Sequence, residues 1–164
     1  MIISLKNKDT LQIDAFEFKC CIGKNGLSKN KIEGDKKTPV GLFKLGKLYF
    51  RKDKIKKPYS KLKKTFIKKD MGWCNDVSNK KKYNKLIKID NITKHENLFR
   101  KDYKYDLLIP IEYNYKKPVI GKGSCIFIHL TKNYKPTAGC IALKKKDFLI
   151  MLKLINKKTK IKIS

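Results

Sequence analysis

Apolar residues in this chain recur at every second position in short runs, and the runs are punctuated by glycine, proline, asparagine or aspartate. A period of two sends alternate side chains to opposite faces of a strand, whereas a helix needs a repeat near 3.6. "IISLKN", "LQIDAFEFKCCIG", "VGLFKLGKLYF", "YDLLIPIEYN", "GKGSCIFIHL", "GCIAL" and the terminal "KIKIS" all read as strand. Only the stretch opened by Asp147, "FLIMLKLINKK", carries apolar residues at helical spacing, at Phe148, Leu149, Leu152 and Ile155. The pattern predicts a mainly β domain with a few short helices.

Local signals refine this. The first two runs form a hairpin with "KDT" at its turn. Dense Gly, Asn, Asp and Pro make "GKNGLSKNKIEGDKKTPVGLFKLG" a long ordered loop leading into a strand. The basic "RKDKIKKPYSKLKKTFIKKD" reads as an exposed connection with short strand pieces, and "ITKHENLFRKD" as a short helix. Pro110 puts its strand near an edge or a bulge. In "GKGSCIFIHL", alternation places Cys125, Phe127 and His129 on one face and Ile126, Ile128 and Leu130 on the other.

A length of 164 residues suits a single domain, 1–164, with one real core. There are no internal repeats and no linker. The net charge is +28, yet only two of the 42 basic residues, Arg51 and Arg100, are arginine. Sequence-specific nucleic-acid readers favour the planar arginine fork. A lysine excess travelling with Ile, Asn, Tyr and Phe reads first as codon bias and a solvated surface, with retention on anionic surfaces at low salt as a consequence. No run approaches the length of a membrane span. "MIISLKNKDTLQID" is charged from Lys6 and reads as a strand, not a signal peptide. The five cysteines, Cys20, Cys21, Cys74, Cys125 and Cys140, include no CxxC. Cys20 and Cys21 point to opposite faces of one strand, so one special thiol is favoured over a disulfide framework.

The chemistry concentrates in "HLTKNYKPTAGC". A base, His129, ends one strand, and a thiol, Cys140, opens the next after a tight turn. A cysteine becomes a useful nucleophile where a base or a positive field favours its thiolate. Gly139 lets substrate and backbone N–H groups approach. On spacing alone the pair also reads as a strand residue and a small buried hydrophobe. A zinc site is disfavoured, because Cys125, His129, Cys140 and Cys74 lack close-paired ligand spacing. The glycine-rich loop lacks the GKS/GKT ending of a phosphate loop.

Together the motifs resemble the L,D-transpeptidases, the YkuD-type domain. "GSCIFIHL…KPTAGCIAL" is similar to that family's catalytic stretch, "GDKKTPVGLFKL" to its upstream GD-x-x-TP-x-G-x-F segment, and Trp73 to Asp76 with Tyr83-Asn84 to its W-x-x-D and YN positions. The short His-to-Cys loop resembles one branch of the family. The resemblance implies a β-sandwich-like fold with short helices, Cys140 as nucleophile, His129 as base and Gly139 in the turn that shapes the site. It makes Thr137, Trp73, Asp76, Tyr83 and Asn84 pocket or scaffold positions. It further implies acyl transfer on peptidoglycan stem peptides through a Cys140 thioester, without metal or cofactor, by a monomer in the periplasm or cell wall, with anionic wall polymers attracting the basic surface. Ala138 and Ala142 stand where many members have His and Arg. Two rivals stay open: an L,D-carboxypeptidase or cysteine amidase on the same stems, and a non-catalytic lysine-rich module binding anionic polymer or nucleic acid.

Overall fold

A computed structural model describes all residues 1–164. The elements are β1 (Ile2–Lys6), β2 (Thr10–Ile13), β3 (Phe16–Cys21), β4 (Leu27–Ser28), β5 (Thr38–Pro39), β6 (Gly41–Lys44), β7 (Leu48–Phe50), β8 (Lys64–Phe66), β9 (Met71–Cys74), β10 (Leu86–Lys88), β11 (His95–Asn97), β12 (Leu107–Pro110), β13 (Phe127–Leu130), β14 (Ile141–Leu143), α1 (Lys145–Leu154) and β15 (Lys160–Ile163). Ten strands form one curled sheet in the order β6-β15-β1-β2-β3-β14-β13-β12-β7-β8. A three-stranded sheet, β10-β9-β11, and the two-residue pair β4-β5 complete the fold.

The sheet separates two apolar clusters, and alternation along its strands decides which residue joins which. Ile126, Ile128 and Leu130 enter the larger cluster with Leu107, Ile109 and Leu48. Their sequence neighbours Phe127, Leu108 and Tyr49 enter the smaller one, beside Trp73, Cys125 and Cys140. Covered on both faces, β12 and β13 are buried throughout. Helix α1 adds Phe148, Met151 and Leu152 to the larger cluster.

Several expectations are corrected. The N-terminal hairpin is a three-stranded meander. Its first turn lies at Asn7-Lys8, both at positive φ, and a second turn at Asp14, φ 50°, splits the long second run. "VGLFKLGKLYF" also divides, into β6 at one end of the large sheet and β7 near the other. The segment expected to be a short helix forms β11, because its backbone pairs with β9 through His95–Cys74, Glu96–Trp73 and Asn97–Gly72. Three residues are too few to display a period, so pairing decided the conformation. Pro110 lies in an interior strand, not an edge. It is the last residue of β12, so its missing N–H costs the ladder little, and its carbonyl accepts from Gly46 N–H at 2.8 Å. There is a single α-helix, not several, and it begins at Lys145, two residues before Asp147. Asp147 lies in its first turn, where a carboxylate favours the helix dipole.

Candidate active site

β13 and β14 are parallel neighbours, with His129 in register with Ala142. Cys140 lies two residues before Ala142, so it projects from the same face of the sheet as His129. Both side chains line one cleft of about 620 Å³, and each is only 7% exposed. The loop 131–140 therefore brings the His129 imidazole and the Cys140 thiol into one cavity.

The turn before Cys140 is held by two threonines. Thr137 Oγ1 donates to the Cys140 carbonyl at 2.6 Å and accepts from Gly139 N–H at 3.1 Å. Thr38 Oγ1 donates to the Gly139 carbonyl at 2.8 Å and accepts from Gly23 N–H at 2.9 Å. Gly139 has φ 136°, and a Cβ there would stand 2.9 Å from the Lys37 carbonyl oxygen. Glycine is required both by conformation and by the close approach of the loop carrying Thr38. Asp35 shapes that loop by accepting from the N–H groups of Ile32 and Lys37 and from Lys31 Nζ.

A second clamp acts through Cys125, which sits just outside β13 at φ 55°. Asn84 Oδ1 accepts from Cys125 N–H at 3.2 Å and from Trp73 Nε1–H at 2.9 Å. Its Nδ2 donates to the carbonyls of Tyr113 and Asn114 at 3.1 and 2.7 Å. Next to it, Tyr83 Oη accepts from Gly123 N–H at 3.1 Å and donates to Glu33, which also accepts from Ser124 Oγ. Tyr83-Asn84 thus grips the segment that enters β13. The outcome is visible at Cys140: its Sγ–H donates to the Cys125 carbonyl at 3.1 Å, and Phe127 N–H donates to Sγ at 3.3 Å.

Trp73 packs edge-on against Phe127 at 5.3 Å and is 2% exposed. Asp76 closes an exposed turn by accepting from Ser78 and reaching Lys94 N–H at 3.2 Å. Of the site residues singled out by sequence, Cys140, His129 and Thr137 line the cleft; Gly139, Trp73, Asp76, Tyr83 and Asn84 do not. Among the cleft residues that escaped the sequence reading are Lys31, Glu96, Arg100 and Tyr105. Tyr105 stands edge-on to His129 at 5.4 Å, and its hydroxyl donates to Glu96, with Arg100 4.0 Å from that carboxylate.

His129 Nδ1–H donates to the Leu130 carbonyl at 3.0 Å, which assigns the tautomer and leaves Nε2 as the unprotonated nitrogen. Burial pulls the imidazole down to about 4, with Lys104 and Arg100 repelling its charged form. Burial likewise pushes the Cys140 thiol up to about 12, and Glu96 adds to this while Phe127 N–H and Lys31 oppose it. At neutral pH the pair rests as neutral thiol and neutral imidazole. The five cysteines are all free and buried, and no cluster of three or more His, Cys, Asp or Glu residues is arranged to hold a metal.

A model of the L,D-transpeptidase catalytic domain, YkuD, matches residues 2–163. The chain belongs to this family. Two crystal structures of the helical cell shape determining protein Pgp2 from Campylobacter jejuni, one of a point mutant, share the fold, with TM-scores of 0.55 and 0.52. Each is 21% identical and is matched over 99% of this chain and 46% of its own, so the chain spans less than half the length of those proteins. Comparison with curated protein sequences gives no match.

Proposed function

We propose that this L,D-transpeptidase-family domain acts on peptidoglycan stem peptides through a Cys140 thioester. The carrying observation is the register of β13 and β14, which sets His129 and Cys140 on one face of one cleft with Nε2 available as base. Because both groups rest neutral, Nε2 takes the thiol proton as Sγ attacks the stem carbonyl on the L-to-D side. An S–C bond forms and the carbonyl electrons move onto oxygen. As that oxyanion collapses, the C–N bond breaks and His129 returns the proton to the departing D-amino acid. An amine of another stem then takes the acyl group, giving a cross-link, or water takes it, giving carboxypeptidase activity.

The cleft suits acidic stems, since Lys31, Lys36, Lys94, Arg100, Lys104 and Lys135 outnumber the carboxylates Glu33 and Glu96 along it. No helix is long and apolar enough to cross a membrane. A periplasmic or wall-associated location follows from the family, and retention on anionic wall polymers from the +28 charge. The test is intact-protein mass spectrometry after incubation with a carbapenem, with peptide mapping and Cys140→Ala in parallel. One adduct on Cys140, absent from the variant, leads to assay on tetrapeptide stems. An unacylated Cys140, with all five thiols equally slow towards iodoacetamide, refutes the proposal and favours the binding module.

A further inference from the structure

Lys31 is 3% exposed, which is unusual for a lysine, and it lines the same cleft as Cys140 and His129. Its stem crosses the bare face of Gly123: a Cβ on that glycine would stand 2.8 Å from Lys31 Cε and 3.0 Å from Cδ. Its Nζ then reaches the nucleophile's turn, 3.6 Å from the point where a Cβ on Gly139 would lie. Two glycines at φ 102° and 136° clear this path. One Nζ–H goes to Asp35 Oδ1 at 2.6 Å, the only side-chain hydrogen bond or ion pair the ammonium makes. Two donors remain on a buried cation beside Cys140.

The oxyanion needs donors at that place. Gly139 N–H is spent on Thr137 Oγ1, so this amide is not free to meet a developing charge. The Cys140 N–H takes no part in the turn's own hydrogen bonds. We propose that Lys31 is a catalytic residue that completes the oxyanion site, its ammonium working with the Cys140 amide on the oxygen of the tetrahedral intermediate. Asp35 holds Nζ in place, which gives the GD-x-x-TP segment a direct part in the chemistry. A fixed, buried charge stabilises a developing oxyanion without reorganisation. The same charge opposes the burial that keeps the thiol protonated.

This inference rests on the acyl-transfer reading, and the test separates the two. Cys140 is acylated with a carbapenem and alkylated with iodoacetamide, each followed at that residue by peptide mapping. Alkylation displaces iodide at carbon and forms no oxyanion, so it reports the thiolate alone. In Lys31→Met, acylation falls about 10²- to 10³-fold, while alkylation falls by no more than about tenfold. Lys31→Arg restores most of the acylation. Lys31→Met strips Asp35 of its ion-pair partner and lowers the melting temperature, so a cooperative melt well above the assay temperature in both variants shows that the fold survives, Asp35 keeping its bonds to Ile32 and Lys37 N–H. Equal losses in the two reactions, or no loss in either, overturn the role of Lys31 while the acyl-enzyme stands. A wild-type protein that takes no carbapenem overturns both.

Discussion

Asn84→Ala is the sharpest single perturbation of the scaffold. The side chain is 3% exposed and makes four hydrogen bonds, so both its acceptor and its donor capacity are fully used. Truncation strands two buried N–H groups, on Trp73 and Cys125, at about 2 kcal/mol each. The half-buried carbonyls of Tyr113 and Asn114 regain water and cost about 0.5 kcal/mol each. Asn84 has φ 54°, a conformation that alanine adopts at about 1 kcal/mol. The total is about 6 kcal/mol, a large part of the roughly 5–15 kcal/mol that holds a domain together. Urea unfolding followed by the fluorescence of Trp73, the sole tryptophan, measures it. Asn84→Gly keeps the side-chain loss but removes the backbone strain, and so recovers about 1 kcal/mol. The coupling to the site is read separately: Cys125 loses its anchor, its carbonyl no longer fixes Cys140 Sγ, and the acylation rate falls with stability. A stability loss below about 2 kcal/mol refutes the idea that this amide organises the cluster.

Three further outcomes follow from the site. The unfolded imidazole titrates near 6.5 and folded His129 near 4, so between these values the unfolded chain binds the extra proton. Stability therefore falls as pH drops from about 6.5 to 4, by up to about 3 kcal/mol; His129→Gln removes this component from the pH series of urea midpoints. For Cys140 the sign reverses: the unfolded thiol ionises near 9 and the folded one near 12, so stability falls as pH rises above 9, and Cys140→Ala makes that limb shallower without abolishing it, because burial also raises Cys20 and Cys125. Gly139→Ala places a Cβ 2.9 Å from the Lys37 oxygen at φ 136°, and should cost at least about 2 kcal/mol together with the reactivity of Cys140, read by urea unfolding and mapped alkylation.

How much of this was legible depends on the kind of interaction. "CIFIHL" showed its two faces plainly, and the structure sends Ile126, Ile128 and Leu130 into one cluster and Phe127 into the other. Cys125 shows the limit: its side chain does join Phe127, but its left-handed backbone takes it out of the strand, and Asn84, far away in sequence, holds it there. The helix expected at "ITKHENLFRKD" failed because a neighbouring strand claimed its backbone. Lys31 escaped notice because one lysine among so many carries no pattern. What marks it out is burial between Gly123 and Gly139, which are distant from it in the chain.

The sequence by itself determined the β class, the long looped segment and the C-terminal helix. Those rest on side-chain period and local residue chemistry, which act over a few positions. Tertiary structure alone decided that β13 and β14 run parallel with His129 and Cys140 on one face, that Thr38 clamps the turn before Cys140 while Tyr83-Asn84 grips the segment entering β13, and that Lys31 arrives beside Cys140. The reason is physical: register, burial and the direction of a buried charge are set by partners tens of residues away, and no local period encodes them.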